Sequence, residues 1–160
     1  MKVLSDRLAQ IRSLQALWKA KDMAGCLMML TSSRDPGLLN DFLRVAPLIS
    51  GGRLTMEHVC ILLPAVTELL TSTCDEYAMT AVRSVKAILD AFGEVIASTR
   101  GLSVAGSVDI AREERIKRSA LASDLVIAAM PTVQQLVRRG GLLGWHANEL
   151  SAAVDKFIGL

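Results

Sequence analysis

The sequence predicts an all-α domain of six to seven antiparallel helices, packed as a bundle or as an irregular α-α superhelix. Apolar residues recur at three- and four-residue spacing along nearly the whole chain, which is the period of a helix with one buried face. Strand signals are nearly absent, because no hairpin turn separates alternating runs and β-branched clusters are few. No repeat of fixed length is found, so a solenoid is not established. Residues 1–160 are expected to form a single domain, since this length can bury a core.

The first two helices are predicted over 3–20 and 22–31. Asp22, at the start of the second, can cap it, because a carboxylate accepts hydrogen bonds from free N–H groups of a first turn. The apolar face of the first helix consists of Leu4, Leu8, Ile11, Leu14 and Trp18, and that of the second of Cys26, Leu27 and Leu30.

The third helix has the clearest start. Asp35 can cap it, and Pro36 fits the first helical position, where its missing N–H is not needed. Its stripe consists of Leu39, Phe42 and Leu43. Pro47 helps to end it, and the pair Gly51-Gly52 predicts a turn before the next element.

The fourth helix is predicted over 55–72, with Thr55 as its cap. Pro64 lies inside it and removes one backbone hydrogen bond, so we expect a kink with the proline packed at the bend. The fifth helix, over 75–98, has the longest uninterrupted pattern. Its wide apolar stripe predicts a central helix that is contacted on more than one side. A loop is expected over 99–107.

The sixth helix is predicted to start after Asp109 and to run towards Arg139, with Pro131 bending or breaking it. Gly140-Gly141 stops it. The glycine-rich run 140–144 is interpreted as a helix stop and linker. A short amphipathic seventh helix follows over 146–158.

Composition favours a protein with extensive apolar surface. Apolar residues make up 51% of the chain and mean hydropathy is +0.38, beside 21% charged residues. Either part of this surface closes against another protein, or the domain has a large Ala- and Leu-rich core. The net charge of +2, from 18 basic and 16 acidic residues, is too balanced to indicate nucleic-acid binding. No charge-free apolar stretch reaches the roughly 20 residues that a membrane span needs, so no membrane contact is expected.

Catalytic and metal-binding patterns are not found, so we expect no enzyme and no cofactor. His58 and His146 are the only histidines, and neither has a nearby cysteine or second histidine, as a metal site would need. The run 140–144 lacks the lysine and Ser/Thr of a nucleotide-binding loop. Cys26, Cys60 and Cys74 show no metal-ligand spacing, which indicates reduced thiols in a cytosolic protein.

The densest charge cluster spans residues 112–118. Glu113 with Lys117, and Glu114 with Arg118, have the i,i+4 spacing of helix ion pairs. The cluster is therefore either a self-paired solvated face or a contact for an acidic partner. Arg138 and Arg139 have no acidic residue within four positions in the sequence.

Several local matches resemble the C-terminal helical domain of the regulatory, WD-repeat-containing subunit of katanin, best over 12–137. They are Leu62-Leu63-Pro64 with Glu68-Leu69-Leu70, Glu76-Tyr77, Ser84-Val85-Lys86 with Ile88-Leu89 and Phe92, and Val108-Asp109-Ile110 with Arg112-Glu113-Glu114-Arg115; a weaker match comprises Arg12, Trp18 and Asp22. The WD-repeat propeller of that family is missing here, so the chain is expected to be a fragment or a short paralogue.

The resemblance implies a non-catalytic domain that forms a heterodimer with the N-terminal domain of the katanin catalytic AAA ATPase. It also implies microtubule binding and severing at spindle poles, centrosomes or basal bodies, and spindle-pole adaptor peptides as further partners. The candidates for partner binding are Leu14, Trp18, Met28 and Phe42. Those for microtubule contact are Arg112, Arg115, Lys117, Arg118, Arg138 and Arg139. The alternatives are a generic helical-repeat adaptor with another partner, and a small helical enzyme or carrier with a polar-lined pocket.

Overall fold

The computed structural model of the chain describes residues 2–46, 54–99 and 110–159, and these contain seven α-helices and no strand. This confirms the predicted all-α fold. The helices are α1 (Lys2–Lys19), α2 (Met23–Ser33), α3 (Pro36–Val45), α4 (Met56–Leu69), α5 (Asp75–Thr99), α6 (Ile110–Arg139) and α7 (Gly141–Gly159). The predicted roles of Pro47, Gly51-Gly52, the loop 99–107 (all but its first residue) and the Asp109 cap lie outside the described residues.

The starts of α2, α3 and α4 follow from local sequence. The Asp22 carboxylate accepts a hydrogen bond from the Gly25 N–H at 2.8 Å. Asp35 caps α3 with Pro36 in the first turn. At α4, Thr55 and His58 exchange reciprocal hydrogen bonds between side chain and backbone. All three predicted caps are therefore confirmed, because a cap depends only on residues within one turn.

The core is organised around α5 and α6. Helix α5 packs against α3, α4, α6 and α7, and α6 packs against α4, α5 and α7. The main neighbour of α1 is α2, which in turn packs against α4. This confirms α5 as a central helix and places α1 and α7 at opposite ends of the packing order. The largest completely buried side chains include Leu27, Leu30, Leu62, Leu63, Leu70, Ile88, Ile96 and Leu150.

Helix α6 is the one described helix that is long and apolar enough to cross a membrane, judged by length and composition alone, and 33% of its most apolar window is buried. Its buried residues face α4, α5 and α7, as in the core helix of a bundle. Its first turns carry the charge cluster at 112–118. Helix α6 thus packs against three other helices along its buried face.

The two internal prolines lie within continuous helices. Helices α4 and α6 continue past Pro64 and Pro131, so Pro131 does not break its helix. Both proline rings lie on exposed faces and are not packed between helices. A solvent-facing proline is tolerated because water can satisfy the carbonyl that loses its N–H partner.

The seventh helix begins at Gly141, five residues before the predicted start. Gly140 and Gly141 have φ values of 71° and 65°, so the reversal between α6 and α7 is confined to this pair. The Gly144 N–H then donates to the Gly140 carbonyl at 2.9 Å. The interpretation of residues 142–144 as linker was therefore wrong, because left-handed glycines complete the turn within two residues.

Candidate interaction surfaces

The aromatic contact between Trp18 and Phe42 joins the first and third helices. Their ring centroids lie 5.7 Å apart at an interplanar angle of 84°, a favourable edge-to-face geometry. Phe42 is 9% exposed and Leu14 is 8% exposed, whereas Met28 is 62% exposed. Of the four residues predicted for partner binding, Leu14 and Phe42 are buried within the domain. Met28 and the half-buried Trp18 lie where a partner can reach them.

A cavity of about 340 Å³ opens beside Trp18. It is lined by Trp18, Lys21, Asp22, Met23, Ala24 and His58. Met28 follows Ala24 by four residues and so lies on the same side of α2. Leu4 and Leu8, which are 74% and 49% exposed, share the α1 face that carries Trp18. We call the apolar surface of Leu4, Leu8, Trp18, Ala24 and Met28 the α1–α2 edge.

The charge cluster on α6 is largely paired within itself. Lys117 Nζ lies 2.7 Å from Glu113 Oε1, and Arg118 Nη2 lies 2.9 Å from Glu114 Oε2. The hydrogen bond that the Lys117 ammonium donates to the Glu113 carboxylate raises the pKa of Lys117, because the carboxylate stabilises the charged form. Both predicted i,i+4 pairs are confirmed. Arg115 is exposed and makes no ion pair with any described residue.

The two arginines that end α6 have different surroundings. Arg139 forms an ion pair with Asp75, the first residue of α5. Arg138 is exposed and has no such partner in the part of the chain that the structure describes. Sequence spacing could not reveal the Asp75 contact, because 64 positions separate the two residues.

The histidines and cysteines are placed as structural groups. His58 belongs to the α4 cap, and His146 lies between Arg83 and Glu149. Within residues 2–46, 54–99 and 110–159, no group of three or more His, Cys, Asp or Glu side chains could hold a metal ion. Burial raises the pKa of the Cys26 thiol and of the Cys60 thiol, and at Cys60 the nearby Arg118 opposes this rise in part. Both thiols are thus held protonated, and they are poor nucleophiles.

Sequence reasoning missed one exposed aromatic surface. Leu142 and Trp145 are 65% and 56% exposed, and they lie within one turn of each other on α7. The available signal was the spacing of Leu143, Ala147, Leu150 and Val154, which all lie on the buried side of α7 and leave Trp145 on the opposite side.

These features define an all-α domain of stacked helices whose distinguishing surfaces are exposed apolar and charged helix faces. Residues 1–154 match the model of the con80 domain of Katanin, so the chain belongs to this family.

Relatives with the name "Katanin p80 WD40 repeat-containing subunit B1" are similar to this chain. The chicken protein (Gallus gallus) is 24% identical over 91% of this chain and 22% of its own length. The zebrafish protein (Danio rerio) is 30% identical over 71% of the chain and 16% of its own length. The Arabidopsis thaliana homolog KTN80.2 is 25% identical over 97% of the chain and 13% of its own length. The chain therefore spans less than a quarter of the length of each of these relatives.

Proposed function

We propose that this domain is a non-catalytic regulatory domain that binds the N-terminal domain of the katanin catalytic AAA ATPase and promotes microtubule binding and severing. The observation that carries the proposal is the match of residues 1–154 to the con80 domain of Katanin. The names of the relatives describe them as WD40 repeat-containing subunits, which supports a role within an assembly. For such a role we propose a location in the cytoplasm on microtubules, at spindle poles, centrosomes or basal bodies.

The α1–α2 edge is the surface that best suits the ATPase contact. It combines an exposed methionine with a half-buried tryptophan beside an open cavity. Methionine adapts to the shape of a partner, and tryptophan is enriched at positions that dominate binding energy. Leu14 and Phe42 are buried in the core beneath this edge, and Phe42 holds the Trp18 ring in place through the edge-to-face contact.

Microtubule contact is the second half of the proposal. Tubulin is acidic, so uncompensated basic side chains would attract it through long-range electrostatics. Arg115 and Arg138 are exposed and lack ion pairs among the described residues, whereas Lys117, Arg118 and Arg139 have acidic partners. Arg115 and Arg138 are therefore the strongest candidates. The local pairing of Lys117 and Arg118 favours a supporting role for the rest of the cluster.

Titration calorimetry with the ATPase N-terminal domain from the same organism tests the heterodimer. We expect a dissociation constant of about 1 μM or tighter, roughly −8 kcal/mol. Met28→Asp places a charge in the apolar edge and should weaken binding by about tenfold or more, which corresponds to about 1.4 kcal/mol. Leu121→Asp is the matched control, because Leu121 is 49% exposed on α6, away from this edge.

Absence of heat and of co-elution at tens of micromolar protein would overturn the ATPase contact. Equal loss of affinity in Met28→Asp and Leu121→Asp would instead remove the α1–α2 edge as its location. A purified domain that hydrolyses ATP, and loses this activity on a point substitution, would contradict a non-catalytic role.

A further inference from the structure

Asn40 carries an unpaired buried oxygen on α3. Its side chain is 1% exposed, and its Nδ2 donates to Asp41 Oδ1 at 3.4 Å. This contact sets the orientation of the amide, because a flipped amide would bring two acceptor oxygens together. Oδ1 accepts no hydrogen bond from any group in the part of the chain that the structure describes. A buried acceptor without a donor destabilises the state in which it is buried, and rehydration relieves that cost.

The unpaired oxygen lies in the contact between α3 and α5. Gly37 and Arg44 lie one turn before and one turn after Asn40, on the same side of α3. A Cβ at Gly37 would lie 3.0 Å from the Tyr77 hydroxyl oxygen, and Arg44 forms an ion pair with Glu76. Both of these partners belong to the first turn of α5. Asn40 is therefore placed against the start of that helix.

Ion pairs at the surface surround this contact. Arg7 Nη2 on α1 lies 3.3 Å from Asp41 Oδ2, and Arg7 Nε lies 4.0 Å from Asp35 Oδ2. The paired side chains of Arg44 and Glu76 are 57% and 56% exposed. Ion pairs this exposed add little to stability and weaken as salt rises. The polar groups of α3 thus hold it to the rest of the domain only weakly.

Apolar burial is what keeps α3 in place. Leu38, Leu39 and Phe42 are buried, and this ten-residue helix packs against α5 and, less extensively, against α2. By contrast, α4, α5 and α6 each pack against three or four other helices. Helix α3 therefore combines few neighbours with the one buried side-chain nitrogen or oxygen that is left unpaired among the described residues.

We propose that α3 (Pro36–Val45) is a release segment, a helix that detaches from α5 as a unit while α4, α5, α6 and α7 stay packed together. Detachment rehydrates Asn40, so this residue lowers the free energy that the step costs. Detachment also removes Phe42 from the edge-to-face contact that orients Trp18. The docked helix thus keeps the α1–α2 edge in shape, and its release alters that edge. The consequence for the ATPase contact rests on the proposed function, whereas the detachment itself does not.

Native-state hydrogen exchange of the 160-residue chain at low urea concentrations tests the detachment without any partner. The amides of α3 should exchange through an opening that costs less free energy than the opening of the second half of α6. This opening should also depend less on urea, because it exposes less surface. Raising salt from about 0.05 M to about 0.5 M should speed exchange in α3, since it screens the ion pairs of Arg7 and Arg44. The amides in the second half of α6 should not respond.

Asn40→Leu replaces the amide with an apolar side chain of similar size. We expect exchange in α3 to slow by at least about fivefold, because the docked helix no longer buries an unpaired acceptor. The greater helix propensity of leucine accounts for only about twofold of this change. Asn148→Leu is the matched control and should leave exchange in α3 unchanged, since Asn148 is exposed on α7. Arg44→Gln, at an exposed position, should instead speed exchange in α3 by about twofold through loss of the ion pair with Glu76.

Exchange of the α3 amides only through global unfolding would overturn the proposal. Unchanged or faster exchange in Asn40→Leu would overturn it too, because Oδ1 would then have a donor, such as an internal water, while α3 is docked. Failure of Asn40→Leu to fold counts in the same way, since a variant relieved of an unpaired acceptor should be more stable than the parent. None of these results depends on whether the ATPase binds, so this proposal and the proposed function stand or fall separately.

Discussion

Arg139, the last residue of α6, is ion-paired with Asp75, the first residue of α5. The neighbouring Arg138 is exposed and has no such partner among the described residues. Two adjacent arginines that are equivalent in the sequence therefore differ in how much charge they offer to a third molecule. This difference can be measured.

We expect Arg138→Glu to weaken microtubule binding more than Arg139→Glu, because Asp75 already offsets the charge of Arg139. The loss for Arg138→Glu should be about 0.5–1 kcal/mol, roughly a twofold to fivefold effect. Arg115→Glu should likewise exceed Arg118→Glu, since Arg118 is paired with Glu114. Co-sedimentation of the heterodimer with microtubules measures this, and binding should weaken as salt rises. Equal pelleting of all four variants and the parent at low salt would place the contact elsewhere.

Two helical glycines should respond to alanine with opposite signs. A Cβ at Gly93 would lie 4.0 Å from Phe157 Cδ2, an ordinary contact, so Gly93→Ala should stabilise the domain by about 0.5–1 kcal/mol. A Cβ at Gly144 would lie 3.0 Å from the Val137 carbonyl oxygen, and this backbone atom cannot move cheaply. Gly144→Ala should therefore destabilise by about 1–2 kcal/mol. Urea unfolding checks both values. The same sign for both changes would contradict the packing of α7 against α6.

Alanine substitutions at two adjacent residues of α2 should differ strongly in their effect on the free energy of unfolding. Leu27 is 0% exposed, so Leu27→Ala should lower the free energy of unfolding by about 2–5 kcal/mol through the lost contacts and the cavity left behind. Met28→Ala removes a side chain that is 62% exposed and should change stability by less than about 0.5 kcal/mol. Chemical denaturation of the isolated domain distinguishes the two. A large destabilisation by Met28→Ala would mean that this side chain is buried by the domain itself.

The three cysteines should react with iodoacetamide in the order Cys74, Cys60, Cys26. Cys74 is exposed, Cys60 is intermediate and Cys26 is buried. Burial is the largest cause that raises the pKa of Cys26 and Cys60 above the ordinary value of 9.0. At pH 8 both therefore hold less of the reactive thiolate.

Mass spectrometry of the native domain at pH 8 measures the rate at which each of the three cysteines is alkylated. The folded-state pKa values of Cys26 and Cys60 are raised. The contribution of these two thiols to the stability of the folded domain is therefore complete below pH 9 and is lost as pH rises through the folded-state values. Alkylation of Cys26 as fast as Cys74, without unfolding, would contradict the burial of α2.

The parts of the fold that the sequence predicts correctly are those decided within one or two turns. The caps Asp22, Asp35 and Thr55 need only the next few N–H groups, and the Glu113–Lys117 pair needs only helix periodicity. The start of α7 was missed because a glycine-rich run favours a linker locally. The close approach of Gly144 to the end of α6 is visible only once both helices are placed.

The surface that a partner contacts cannot be identified from the sequence for a related reason. A stripe such as Leu14 and Trp18 identifies the apolar face of α1, but a stripe does not say whether the chain itself or a partner covers each residue. The structure buries Leu14 and leaves Met28 exposed. The Arg83–His146 contact joins positions 63 residues apart, so no local spacing predicts it.

Because the helices are packed unequally, some of them should detach from the domain more easily than others. Helix α6 is held by three neighbours, whereas α1 rests mainly on α2. In native-state hydrogen exchange, the amides of α1 should therefore open by local detachment at low free energy, and those in the second half of α6 only with global unfolding. A ligand that spans the seam between α1 and α2 must first hold the most readily detached helix in place. Part of its intrinsic affinity is then spent on ordering α1, and slower exchange in that helix would be the direct sign of occupancy.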